Sequence, residues 1–154
     1  MRSPLTLLIV LVVAFAAGCG GDDAPPKPKG EEAAVIKAVA DAGATFLSGD
    51  YAKTCSFYTV DLVVQLIKST NAKNCKEVWG VVDTMLKQTN TPEIRKAIVA
   101  FGPESAVIKG DVATATFGKP PKILEKVFPN AKGRTMQLRK VGGRWIISVL
   151  PALG

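Results

Sequence analysis

The chain has no histidine among its 154 residues, only three cysteines, and aromatic side chains at just 6%. The missing imidazole excludes serine–histidine triads, histidine-ligated zinc and histidine acid–base chemistry. The cysteines, Cys19, Cys55 and Cys75, form no Cys-x-x-Cys pair, so a thioredoxin-like redox motif is absent too. No apolar run approaches the roughly 20 residues of a membrane-spanning helix; the stretch from Leu5 to Ala17 is 13 residues long. What is present is the balance of one ordinary globular domain, 47% hydrophobic and 21% charged, with a formal charge of +7.

Residues 1–18 combine an early Arg2, the short apolar run and the small residues Ala16-Ala17-Gly18 just before Cys19. That order is an export signal, removed from the mature protein. Ala16-Ala17-Gly18-Cys19 resembles the lipobox of bacterial lipoproteins. The resemblance implies acylation of Cys19, which becomes the first residue of a chain held on the extracytoplasmic face of a bacterial cell membrane. A thioether-linked diacylglycerol supplies two acyl chains, which is what stable anchoring takes. The plainer alternative is secretion with a stray cysteine. Cleavage before Cys19 leaves 136 residues with a side-chain charge of +6.

Residues 19–30 complete the anchor with a tether. The stretch Gly20 to Glu32 carries three prolines, six charged side chains and no large apolar residue, so it has nothing with which to bury a core. The folded domain is expected over residues 31–154. Val35, Val39, Ala42 and Phe46 recur at spacings of four, three and four, one stripe of a helix from Glu31 to Ser48 that Gly49 ends. Asp50 is placed to cap a short second helix, and Thr59 to cap a third bearing Leu62, Val63, Leu66 and Ile67. Asn74-Cys75-Lys76-Glu77 has the form of a capping box, followed by Val78, Trp79, Val82, Met85 and Leu86 at helical spacing. Thr91-Pro92-Glu93 opens a fifth helix that Gly102-Pro103 stops.

Cys55 and Cys75 are the two cysteines left once Cys19 is acylated, in a compartment that permits oxidation. A disulfide between them is expected, against the alternative of two inert buried thiols.

After Pro103 the pattern changes to β-branched alternation. Ala106-Val107-Ile108, a Lys109-Gly110-Asp111 turn and Val112 to Phe117 read as one hairpin; Thr135 to Val141, Gly142-Gly143 and Trp145 to Leu150 read as another. Trp145, Ile147 and Val149 share a face, taken as the core side. Ile123, Leu124, Val127 and Phe128 suit a short helix between the hairpins, or an irregular loop. The layout is α+β, with N-terminal helices packed on a curved antiparallel sheet.

Several pieces resemble bacterial lipoproteins of the nuclear-transport-factor-two-like superfamily, to which ketosteroid isomerase belongs. They are Phe46-Leu47-Ser48-Gly49-Asp50-Tyr51, the cysteine four residues on, the second cysteine opening a later helix, Lys109 to Ala115, and Leu138 to Ser148. The resemblance implies a cone whose open end is an active site in some members and a closed core in others, and a candidate homodimer through the sheet. Catalytic members use aspartate, tyrosine, histidine or an aspartate–arginine–aspartate set within the cone. Here the aspartates fall at caps and turns, such as Asp50 and Asp111, where structure alone explains them. Tyr51 and Tyr58 are candidates for a pocket mouth, though packing explains them as well. Trp79 and Trp145 read as core anchors. The residues give no catalytic pair, metal site or cofactor.

Eight cations, Lys119, Lys122, Lys126, Lys132, Arg134, Arg139, Lys140 and Arg144, lie between Gly118 and Arg144 with one acid, Glu125. That segment carries +7 and the rest of the mature chain −1. It is a candidate surface for an anionic envelope component, or simply a solvated face. Nucleic acid is a poor partner, because no stacking aromatics interleave with these cations. Three functions compete: a non-catalytic anchored domain binding a partner or small ligand, an isomerase- or hydrolase-like enzyme on a small hydrophobic substrate, and a wall-binding or spacing module using residues 119–144.

Overall fold

The computed structural model describes residues 28–151. The export segment, Cys19 and most of the tether lie outside the described residues. Among the described residues no helix is long and apolar enough to cross a membrane.

The described residues form an α+β fold in which five helices precede a four-stranded antiparallel sheet. Helix α1 (Gly30–Leu47) buries Val35, Ala42 and Phe46, three of the four residues of its expected stripe, while Val39 is half-buried. Helix α2 (Tyr51–Thr54) starts where Asp50 Oδ1 accepts the Lys53 N–H at 3.0 Å, and a 3₁₀ turn (Cys55–Phe57) comes next. Helix α3 (Val60–Thr70) forms without the expected side-chain cap from Thr59. Instead the Thr59 backbone N–H donates to Ile147 O at 2.9 Å, fastening the entry of α3 to the sheet. Helix α4 (Cys75–Thr89) opens with Asn74 Oδ1 accepting from Glu77 N–H, while the Glu77 carboxylate accepts from Lys73 N–H rather than closing on Asn74. On this helix Val78 and Trp79 are buried, but Met85 leaves the expected stripe and is exposed. Helix α5 (Pro92–Ala100) carries its proline in the first turn, where the missing N–H costs nothing.

The disulfide between Cys55 and Cys75 is present, joining the turn after α2 to the first residue of α4 across a Cα–Cα distance of 6.1 Å.

Strands β1 (Pro103–Lys109), β2 (Val112–Phe117), β3 (Thr135–Val141) and β4 (Arg144–Val149) pair in sequence order. The β3–β4 turn uses Gly142 and Gly143, both with positive φ, which two-residue hairpins demand and glycine supplies without steric cost. The inward face buries Ala113, Ala115, Met136, Leu138, Trp145 and Ile147 against Val35, Ala42 and Leu62. Val149 does not join them and is 47% exposed. The reason is a register shift: Leu138 faces Ile147 but Gln137 faces Val149, so β4 carries one extra residue there. A bulge of this kind reverses the facing of the residues beyond it, and Leu150 rather than Val149 packs on the core.

The segment between the hairpins is neither a regular helix nor unstructured. A 3₁₀ turn (Lys122–Leu124) leads into consecutive turns, anchored by a fully buried Leu124 whose carbonyl accepts from the N–H groups of Val127 and Phe128. Ile123 and Val127 are exposed in part.

Two acids at the start of α1 lock that helix to the sheet. Glu32 Oε1 accepts the Ala106 N–H of edge strand β1 at 3.1 Å, and Glu31 pairs with Lys140 of β3. Further along α1, Gly43 sits against α5, where a Cβ would stand 2.9 Å from the Val99 carbonyl oxygen. The absence of a side chain is what lets the two helices approach so closely.

Candidate functional site

Between the C-terminal half of α1, helices α3 to α5 and the inward face of the sheet lies a cavity of about 700 Å³. Its wall forms because each element turns its apolar stripe inward. The contributors are Val39 and Phe46 from α1, Leu66 from α3, Trp79, Val82 and Leu86 from α4, and Ile98 and Val99 from α5. Phe117, Met136 and Ile147 close the sheet side, and Val127 to Ala131 of the β2–β3 connection border it.

The composition of the wall limits its chemistry. Six of the nine aromatic residues among those described line it: Phe46, Tyr58, Trp79, Phe101, Phe117 and Phe128. They form two groups. Trp79 lies tilted against Tyr58 with ring centroids 4.6 Å apart and meets Phe46 edge-on at 5.8 Å; Phe101 lies 5.5 Å from Phe117 and 6.4 Å from Phe128. Among the described residues no Asp, Glu, Lys or Cys belongs to the lining. Its titratable members among the described residues are Tyr58 and Arg134. Burial pushes the Tyr58 phenol well above its ordinary range, so at neutral pH it is a neutral hydroxyl. Thr70 is already committed, its hydroxyl donating to Leu66 O at 2.7 Å.

The two candidate tyrosines separate. Tyr58 lines the cavity; Tyr51 is outside the lining, and its hydroxyl donates to Asp83 Oδ2 at 2.7 Å. Asp83, whose side chain is 8% exposed, also takes Arg95 Nη2 at 2.7 Å and pairs with Lys87, so the group ties α2, α4 and α5 together. The hydrogen bond to Asp83 raises the Tyr51 phenol. Burial alone would raise the Asp83 carboxyl, but the bonds from Lys87 and Tyr51 and the nearby Arg95 charge prevail and hold it below the usual carboxylate range. Sequence reasoning missed this cluster; the one available signal was the Asp83–Lys87 spacing of four on α4, a common helix-surface pair. Among the described residues no three metal-ligating side chains converge.

The structure does not bring the eight cations onto one patch. Lys119, Lys122, Lys126, Lys132 and Arg134 belong to the β2–β3 connection, which borders the cavity. Arg139, Lys140 and Arg144 sit at the opposite end of β3 and the start of β4, about 17 Å along the strand from Arg134. Lys140 is bound to Glu31 and lies 5.6 Å from the Trp145 ring centroid. Lys119 pairs with Glu125 at 3.2 Å. Arg134 Nε donates to Asn130 O at 2.8 Å, which braces the guanidinium on the loop that borders the cavity. Among the described residues Lys122, Lys126 and Lys132 are solvent-exposed and enter no ion pair.

No known family model, curated protein or solved structure matches this chain. The chemistry of the site therefore rests on its own geometry.

Proposed function

We propose that this protein is a non-catalytic, lipid-anchored envelope lipoprotein whose domain holds a small hydrophobic ligand. The observation that carries the reading is the cavity: about 700 Å³, within the range that encloses one small molecule, and walled by aromatic and aliphatic side chains. An apolar hollow of this size leaves its lining short of the contacts a filled core would make, which a hydrophobic ligand supplies. The aromatics are spent on this wall although they are scarce in the chain. The enzyme reading is disfavoured by the same wall. A neutral tyrosine and an arginine make no acid–base pair, and the buried aspartate of the domain is consumed by structural partners.

The order of helices then sheet, with a shifted register that bends β4, is in keeping with the nuclear-transport-factor-two-like cone, here with four strands. Anchoring through Cys19 and export across the membrane are part of the same reading and rest on residues 1–19 of the sequence. The split of the cations between two ends of the sheet weakens a single wall-binding face.

Native mass spectrometry on full-length protein, gently released from the membrane of a bacterial host, tests the whole reading. The expected spectrum shows diacylglycerol on Cys19, two hydrogens lost to the Cys55–Cys75 bond, and a bound small molecule in the wild type that is absent from a Val82→Trp variant. A chain without acyl mass refutes the anchor. A bound mass retained equally by the Val82→Trp variant refutes the cavity as its location.

A further inference from the structure

We propose that the cavity takes a single-chain amphiphile with an anionic head, its tail among the aromatics and its head at the basic β2–β3 connection; the inference rests on the hydrophobic-ligand reading above. The position of the mouth comes first. Among the residues that line the cavity, the solvent-exposed ones are Val127, Pro129 and Asn130, so the chamber opens along this connection. The same short segment carries Lys122, Lys126, Lys132 and Arg134, and its one acid, Glu125, is paired with Lys119. Counting all of its charged residues, the connection holds five cations and one acid, a net charge of +4.

An apolar chamber that opens at a cationic rim is complementary to one kind of molecule. A neutral hydrocarbon gains nothing from the rim, and a small anion gains nothing from the chamber. A molecule with a long apolar tail and a negative head gains from both. The chamber volume suits one ligand of modest size, which favours one acyl chain over two. Val127, exposed beside the cations and itself part of the lining, carries apolar surface from the chamber to the rim and gives a tail a path inward. The lysines, exposed to solvent, act as a field that draws the head rather than as a rigid clamp, so their contribution is salt-sensitive.

The test is competition against a fluorescent fatty acid on the mature full chain at low ionic strength, with four probes: palmitate, 1-palmitoyl lysophosphatidate, 1-monopalmitoylglycerol and laurate. The two palmitoyl anions are expected to displace the fluorophore at least about tenfold better than the neutral glyceride, and their order identifies the preferred head. Laurate, four methylenes shorter, is expected to bind at least about a hundredfold more weakly than palmitate if the tail is buried. Replacing the exposed Lys122, Lys126 and Lys132 by glutamine should cut the preference for anions severalfold without changing the affinity for the glyceride. An anion preference undiminished in this triple variant, or equal affinity of glyceride and palmitate in the wild type, overturns the head assignment while leaving the hydrophobic cavity standing. Failure of all four probes to bind overturns both.

Discussion

Two glycines on neighbouring helices give opposite predictions for the same substitution. At Gly43 of α1 a methyl would stand 2.8 Å from Val99 Cγ1 and 2.9 Å from the Val99 carbonyl oxygen. The side-chain methyl can rotate away, but the carbonyl belongs to the last turn of α5 and moves only with the helix. Ala gains about 1 kcal/mol over Gly in a helix interior, whereas overpacking of this kind costs about 1–3 kcal/mol. The balance for Gly43→Ala is a loss of about 1 kcal/mol, and the crossing of α1 on α5 must open. At Gly80 of α4 the nearest atoms to a new methyl are ring carbons of Tyr51 at 3.9 and 4.0 Å, which is ordinary contact. Gly80→Ala therefore keeps the helix gain of up to about 1 kcal/mol. For a domain of this size each kcal/mol moves Tm by about 4 °C, so thermal unfolding by circular dichroism should show the two variants shifted in opposite directions. If Gly43→Ala stabilises as Gly80→Ala does, the close approach of α1 and α5, and with it that wall of the cavity, is wrong.

Other predictions concern the disulfide, the buried aspartate and the bulge. Replacing Cys55 and Cys75 together by alanine should cost about 3 kcal/mol, the chain-entropy value for a loop of this length, and lower Tm by about 12 °C; an unchanged Tm would mean the bond constrains nothing. Asp83 is depressed in the folded state, so its contribution to stability is complete above its unfolded value near about 3.9 and fades as pH falls below that. Urea midpoints of wild type and Asp83→Asn should differ at pH 7 and converge toward pH 2; a gap that widens on acidification would contradict the assignment. Val149→Thr should change Tm very little, because the bulge turns that residue outward. Ile147→Val, on the same nominal face but buried, should cost about 1 kcal/mol in the same assay.

What could be read from the chain was set by local chemistry. The α1 stripe, the Asn74 and Thr91 caps and both glycine-marked turns are decided within a few residues, and the elements form where that chemistry puts them. Val149 escaped because strict alternation cannot register one inserted residue opposite Gln137. Met85 escaped because a five-residue helical pattern is wider than the stripe α4 actually buries. Thr59 has the residue type of a cap, yet its role is a backbone bond to a strand almost ninety residues later, which only the tertiary fold supplies. For the site, Tyr58 was within reach of sequence reasoning and the cavity was not. Its wall draws a few residues each from four helices, three strands and the β2–β3 connection. No spacing along the chain encodes that convergence, nor the division of the eight cations between two ends of a strand.

The central claim is that the apolar cavity is a binding chamber, and the most direct measurement is a titration of the mature protein with a neutral hydrophobic fluorophore such as N-phenyl-1-naphthylamine. The account predicts saturable binding of one probe per chain, lost in the Val82→Trp variant whose circular dichroism and cooperative unfolding match wild type. Equal binding by wild type and Val82→Trp, or none by a folded wild type, would contradict it.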